Sequence, residues 1–185
     1  MFEYKNFTNQ FRRLMMTVSI VMLAGSSMLL AAGKTWPDFS ATNLEDEAVH
    51  SSDLIGRPAI IIVTPSEDAA ESTERWIEAL RRELDESEFV VRTLITLDLP
   101  FFVSVDMAIS DVRDVVPADY HDQTWVIDSE VLEDALGIEQ GSSKAAVVIL
   151  DSEGGIIEIS HGSLTEQRLQ TILAAAGELK RSESR

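Results

Sequence analysis

The sequence predicts an α/β fold in which helices cover a central mixed sheet in three layers. Residues 59–63 (Ala-Ile-Ile-Ile-Val) form an aliphatic run without polar alternation, which is typical of a strand buried on both faces. A turn and an amphipathic helical pattern that reaches Leu84 follow this run. Near the end of the chain, two apolar runs flank the polar stretch 151–155, which predicts a β-hairpin.

The composition indicates an acidic protein with enough apolar residues for one core. The 185 residues include 32 acidic and 15 basic side chains, a formal net charge of −17, and 45% of them are hydrophobic. This charge argues against a nucleic-acid partner, because phosphate binding needs clustered Lys and Arg. It disfavours anionic membrane surfaces for the same reason.

Cysteine is absent from the sequence. Disulfide bonds, thiolate metal sites and every mechanism that uses a cysteine nucleophile are therefore excluded.

Residues 1–33 are interpreted as a targeting segment. A basic start precedes residues 14–32, which are apolar or small and carry no charge, and small residues before Lys34 suit cleavage there. Because 19 uncharged residues also approach the length of a membrane span, an uncleaved anchor is the competing interpretation. Cleavage would remove three basic residues and one acidic residue, which leaves 12 basic and 31 acidic residues and a formal net charge of −19.

The central strand leads into a helix whose start and inner side can be predicted. Ser66 is the expected N-cap, and Glu67 and Asp68 suit the first turn because acids offset the helix dipole. The residues at helical spacing that form the inner side are Thr73, Trp76, Ile77, Leu80 and Leu84.

The remaining elements alternate between strands and helices. Their predicted order is a strand at 89–96, a short strand at 100–103, a helix at 106–115 stopped by Pro117, a strand at 124–127, a helix from Asp128 to Gly137, and hairpin strands at 145–150 and 156–160. A capping box at 163–166 predicts a final helix. Residues 34–181 are interpreted as one domain, and residues 182–185 are expected to fray.

This order of elements, from about Trp36 to Leu179, resembles the thioredoxin-like superfamily and its redoxin, peroxiredoxin-like branch. The stretches that carry the resemblance are Pro37-Asp38-Phe39, 53–58, 125–128 and 147–151, followed by Gly154 and Gly162. Residues 142–151 and 162–165 are also similar to the C-terminal signature of the YtfJ family. That family comprises small exported thioredoxin-fold proteins without an assigned activity.

The resemblance allows the family's reactive positions to be located in this chain. The two positions of the Cys-x-x-Cys motif fall on Glu67 and Ala70, and the peroxidatic cysteine position falls on Ser72. The cis-proline expected before the hairpin corresponds to Lys144 or Ala145. A serine does not replace a peroxidatic thiolate, because an unactivated hydroxyl stays protonated near neutral pH. Thiol redox chemistry is therefore not expected.

The histidines and the acids at the start of the helix are expected to have structural roles and not to bind a metal. None of the three histidines, His50, His121 and His161, lies at metal-ligand spacing from another, so a shared zinc site would require three loops to converge. Glu67, Asp68 and Glu71 could together hold Ca²⁺, but first-turn acids that offset the helix dipole are the expected explanation.

The sequence thus favours an exported protein, periplasmic or otherwise outside the cytoplasm, that binds a protein partner in the cell envelope. No cofactor, metal or nucleic acid is expected, and contact with a membrane is expected only through an uncleaved N-terminal segment. The alternative is an enzyme that uses acids near Glu67, with or without a metal.

The interpretation of residues 1–33 gives a direct prediction. Mass spectrometry of the protein from its native host is expected to show a mature chain that starts at Lys34. An intact N-terminus in the membrane fraction would instead support the anchor.

Overall fold

The computed structural model describes residues 34–85, 87–97, 105–139 and 141–183. The strands are β1 (Ser40–Asn43), β2 (Ala48–His50), β3 (Ala59–Thr64), β4 (Val90–Leu97), β5 (Thr124–Asp128), β6 (Ala146–Leu150) and β7 (Ile156–His161). The helices are α1 (Ala70–Glu83), α2 (Val105–Val115), α3 (Ser129–Leu136) and α4 (Glu166–Glu183). Short 3₁₀ turns occupy Ser51–Leu54, Glu67–Ala69 and Ala118–Tyr120.

The strands form one mixed sheet of seven, in the order β2-β1-β5-β4-β3-β6-β7. β3 pairs with β4 in parallel and with β6 antiparallel, and β4 pairs with β5 in parallel. The predicted mixed sheet with a C-terminal hairpin is confirmed.

β3 is buried along its whole length. All six of its residues are buried, and the side chains of Ile60 to Val63 have no solvent exposure. Because successive side chains point to opposite faces, Ile60 and Ile62 lie on one face of the sheet while Ile61 and Val63 lie on the other. Both faces therefore require a covering layer, as the unbroken aliphatic run predicts.

The face that carries Ile60 and Ile62 is covered by α1 and α4. Trp76 and Leu80 of α1, together with Ile172 and Ala176 of α4, belong to the same buried cluster. The rest of the cluster includes Phe89, Val147, Ile149, Ala175 and Leu179. The predicted inner side of α1 is thus confirmed, and α4 packs beside it against the same face of the sheet.

The amino end of the domain is joined to the hairpin between β6 and β7. Thr35 forms an isolated antiparallel bridge with Gly155. The Trp36 N–H donates to the Gly154 carbonyl at 2.8 Å, and the Ile156 N–H donates to the Lys34 carbonyl at 2.9 Å. Residues 34–36 are therefore fixed to the far edge of the sheet, beside the start of β7.

Two predicted helix caps are wrong in detail. Ser66 precedes the 3₁₀ turn, but its side chain makes no cap hydrogen bond, because the hydroxyl donates to the Ser142 carbonyl instead. The final helix is capped by Thr165 and not by Ser163, since the Thr165 hydroxyl accepts the Arg168 N–H at 3.3 Å. Ser163 lies two residues before Thr165, and its carbonyl accepts a hydrogen bond from the Arg168 guanidinium at 3.0 Å.

Other differences concern the ends of the domain. β1 and β2 form a hairpin that the sequence analysis did not identify, around a turn in which the Asn43 side chain accepts two backbone N–H groups. α4 continues to Glu183, and the expectation that residues 182–185 fray stays a prediction. The predicted segment 1–33 and the predicted strand at 100–103 lie outside the described residues.

Within the part of the chain that the structure describes, no helix has both the length and the apolar character needed to span a membrane.

Trp76 is expected to dominate the stability of the α1 layer, because its side chain is fully buried and its indole N–H donates to the Gly162 carbonyl at 3.0 Å. Trp76→Ala should lower the free energy of unfolding by about 3–5 kcal/mol, measured by urea denaturation. Ile55→Ala is the control, since Ile55 is 54% exposed and its loss should change that energy by less than about 0.5 kcal/mol. Equal effects of the two substitutions would contradict this assignment.

Candidate functional site

The candidate site lies at the carboxyl end of β3, where the chain turns into α1. Pro65 is buried and Ser66 is half-buried, whereas Glu67 and Asp68 are exposed. The Pro65 carbonyl accepts the Gly141 N–H at 3.2 Å. The turn is therefore bonded to the segment that precedes β6. A second bond, between Ser66 and Ser142, joins the same two segments and spans 76 residues of sequence.

The Ser66 hydroxyl strengthens the same connection. It donates to the Ser142 carbonyl at 2.8 Å, and the Ser142 N–H in turn donates to the Glu139 carbonyl at 3.2 Å. The Lys144 N–H donates to the Ser142 hydroxyl at 3.3 Å. We call residues 141–145 the pre-β6 loop; its Gly141, Ser142 and Lys144 N–H groups are all bonded within the chain.

Ser72 and Ala145 are joined directly. Ser72 is 8% exposed and Ala145 is fully buried, and the Ala145 N–H donates to the Ser72 hydroxyl oxygen at 3.2 Å. A buried N–H without an acceptor is costly, so this bond satisfies a requirement of the fold. Proline has no N–H, and the non-proline residue at 145 is what makes the bond available.

A third connection brings in the turn after β7. The Gly162 N–H donates to the Ala145 carbonyl at 2.9 Å, while the Gly162 carbonyl accepts the Trp76 indole N–H at 3.0 Å. Gly162 adopts a positive φ of 109°, a conformation that favours glycine over residues with a side chain. Both peptide groups of Ala145 are therefore engaged, one by α1 and the other by this turn.

These contacts decide what the site can do chemically. The Ser72 hydroxyl is buried and accepts a backbone hydrogen bond, and no histidine contact to it is found among the described residues. A serine nucleophile requires a base within hydrogen-bond reach. The arrangement stabilises the join between α1 and the pre-β6 loop.

The carboxylates predicted as a possible cation site do not converge. Glu67 and Asp68 are exposed on the 3₁₀ turn, and Glu71 forms an i,i+4 ion pair with Arg75. In the described ranges of the chain, no three His, Asp or Glu side chains come close enough to hold a metal ion.

The histidines are separated in the same way. His50 lies in β2 and His161 in β7, at opposite edges of the sheet. The His50 ring is hydrogen bonded to the Ser40 hydroxyl at 3.1 Å, and His121 is bonded to the Val116 carbonyl at 2.8 Å. Burial lowers the pKa of His161, which favours its neutral form.

The structure thus brings together two of the four residues carried over from the resemblance. Ser72 and Ala145 are hydrogen bonded, whereas Glu67 and Ala70 are exposed at the start of α1. The roles of Gly141 and Ser142 were missed by the sequence analysis. Their contacts with Pro65 and Ser66 span more than seventy residues, and no local pattern indicates such a contact.

Comparisons with known proteins define the fold. No family model matches the sequence, and no curated protein matches it either. Solved structures do match its fold. The exposed lipoprotein thioredoxin Etrx1 from Streptococcus pneumoniae strain TIGR4 has a TM-score of 0.53 at 12% identity, over 74% of this chain and 98% of that one.

Two further structures agree with that match. BsSco, a member of the Sco family of cytochrome c oxidase assembly proteins, has a TM-score of 0.55 at 11% identity, over 79% of this chain and 94% of its own. The thiol peroxidase from Chromobacterium violaceum has a TM-score of 0.50 at 14% identity, over 80% of this chain and 87% of its own. The chain has a thioredoxin-like fold. The closer likeness to the YtfJ family stays a prediction.

The bond between Ser72 and Ala145 can be tested by a double-mutant cycle. Ser72→Ala and Ala145→Pro each remove it, and Ser72→Ala should lower the free energy of unfolding by about 1–3 kcal/mol, because the buried Ala145 N–H loses its acceptor. The double variant should lose less than the sum of the two single losses, since proline leaves no N–H to satisfy. Strictly additive losses in urea denaturation would contradict the assignment.

Proposed function

We propose that this protein is an exported, thioredoxin-fold binding module of the cell envelope that does not carry out thiol redox chemistry. The observation that carries the proposal is the bond between Ser72 and Ala145. It joins the two positions at which the resembling proteins would place the peroxidatic cysteine and the substrate-aligning proline.

The state of the surrounding peptide groups supports the same conclusion. The N–H groups of Gly141, Ser142, Lys144 and Ala145 all donate to acceptors within the chain. A peptide substrate that lies against this loop would have to break such bonds, and each replacement bond gains little over the one it replaces. The turn and loop therefore act as a packed scaffold.

The absence of cysteine from the sequence and its negative net charge also support the proposal. A chain without cysteine has no thiol to oxidise or reduce. Its strong negative charge steers positively charged partners to it and keeps anionic surfaces away. The apolar N-terminal stretch at 14–32 supports export.

An activity and cross-linking experiment tests the proposal. The full-length protein is expected to give no turnover in dithiothreitol-driven insulin reduction or in a hydroperoxide assay, with thioredoxin and a thiol peroxidase as positive controls. It should nevertheless retain one specific protein after cross-linking in the envelope of its native host. Ser72→Ala, checked for its melting temperature, should retain the same protein to the same extent.

Two outcomes would contradict this function. The first is thiol-dependent turnover by the wild-type protein. The second is an activity, of any kind, that Ser72→Ala abolishes while the fold persists, because that result would make Ser72 a reacting group.

A further inference from the structure

An apolar groove runs along β4 on one face of the sheet. Ile60 of β3 pairs with Val91 of β4, and Ile95 of β4 pairs with Val126 of β5, so these four side chains share one face. On this face α1 packs against β3 through the cluster that contains Ile60. α2 packs against β5 through the cluster that contains Val126.

β4 lies between the strands that the two helices cover, and its side chains on this face are only partly buried. They are Val91, Thr93 and Ile95. The interior side chains of β3 that lie beside them, Ile60 and Ile62, are fully buried. We call this surface, with the helix flanks on either side of it, the β4 groove.

The α1 wall of the groove contains a small apolar cavity. It has a volume of about 20 Å³ and is lined by Ile77, Leu84, Phe89 and Val91 among others. Arg81 stands at its rim and lies over the Tyr120 ring, 3.9 Å from the guanidinium carbon to the ring centroid. The cavity is the size of a methyl or methylene group, which suits the tip of one inserted aliphatic side chain.

The α2 wall exposes a large aliphatic side chain. Val115 is 79% exposed. Arg113 reaches toward β1, where its guanidinium donates to the Leu44 carbonyl and to Asp46. Because each residue turns the helix by about 100°, Val115 lies on the opposite flank, which faces β4. Half-buried Val112 lies between that flank and the core.

The rim of the groove is acidic. Glu74 is exposed and lies about 20° from Arg81 around α1, on the flank that faces Tyr120, and exposed Asp85 lines the cavity just after the helix ends. Asp111 lies one turn before Val115 on α2 and is exposed as well. Two basic residues lie near these acids: Arg81 is stacked on an aromatic ring, and Lys180, which helps the hydrogen bonds from Ser87 to lower the pKa of Asp85, is paired with Glu88.

We propose that the β4 groove binds a basic, amphipathic segment of a protein partner, with aliphatic side chains on the apolar floor and Lys or Arg against the acidic rim. The inference rests on the proposed binding function and specifies its surface. Charge complementarity selects this occupant. An anionic membrane would meet the same acids with repulsion, and so would a second copy of a chain that carries a net charge of −17.

The first test uses a labelled amphipathic peptide of leucine and lysine and measures its affinity by fluorescence anisotropy at physiological salt. Glu74→Lys and Val115→Glu alter the groove, while Glu178→Lys on α4 and Ile157→Glu on β7 are matched exposed controls. All four positions are exposed, so the fold should persist, which melting temperatures will verify. A peptide with glutamate in place of lysine is the control for charge.

The groove variants should each weaken binding by about fivefold or more, and the controls should stay within about twofold of wild type. Equal weakening by Glu74→Lys and Glu178→Lys would overturn the proposal, because the affinity of the peptide would then depend only on the net charge of the protein. Absence of saturable binding would also overturn it. A wild-type dimer that Val115→Glu dissociates would overturn it, since a second copy would then occupy the groove. Peptide binding that appears only after residues 98–104 are deleted would overturn it as well.

A second arm separates this inference from the proposed function. A photo-cross-linking benzoylphenylalanine is placed at position 115, 67 or 157 of the full-length protein in its native host. A cross-link from position 115 that the leucine–lysine peptide competes away is expected. Cross-links from position 67 or 157 alone would overturn the groove and leave the binding function standing. Cross-links from none of the three would overturn the proposed function itself.

Discussion

The structure depends on the complete burial of β3. Its six residues hydrogen bond to a parallel strand on one side and an antiparallel strand on the other, and both faces are closed to solvent. Burial of this apolar surface requires a covering layer on each face of the sheet, and the end of β3 fixes where the turn into α1 must lie. The turn at Pro65 is therefore a position that the core imposes, whatever chemistry it carries.

Beside that turn, the pre-β6 loop contains buried backbone N–H and carbonyl groups that have no access to water and need partners within the protein. Ala145 is fully buried, and its N–H and its carbonyl find partners in Ser72 and Gly162. These two hydrogen bonds satisfy the buried backbone groups of Ala145. The Ser72 hydroxyl thereby holds α1 against the pre-β6 loop.

The sequence predicted the elements whose residues interact locally. The aliphatic run in β3, the helical spacing from Trp76 to Leu84 and the hairpin turn before β7 all express short-range periodicity, and each was found where expected. The short β1–β2 hairpin was missed, because strands of three or four residues carry little periodicity. The caps failed for a different reason: local patterns cannot show when a hydroxyl such as that of Ser66 binds a distant carbonyl.

The candidate site shows the same division. Its residues could be located from a resemblance, and Ser72 and Ala145 were both identified, but the bond between them spans 73 residues. The β4 groove was not predicted at all. It arises from the gap between two helices, and Val115 shows no sign of its exposure in a helical pattern that also contains buried Ile109.

The attachment of residues 34–36 to the hairpin has a consequence for how the domain is presented. The hairpin turn lies beside Ala59, the first residue of β3, whereas the Pro65 turn follows the last. Six strand residues separate these ends by about 20 Å. The polypeptide therefore enters the described domain at the end of β3 that lies opposite the Pro65 turn, so residues 34–36 and the candidate site are at opposite ends of the sheet.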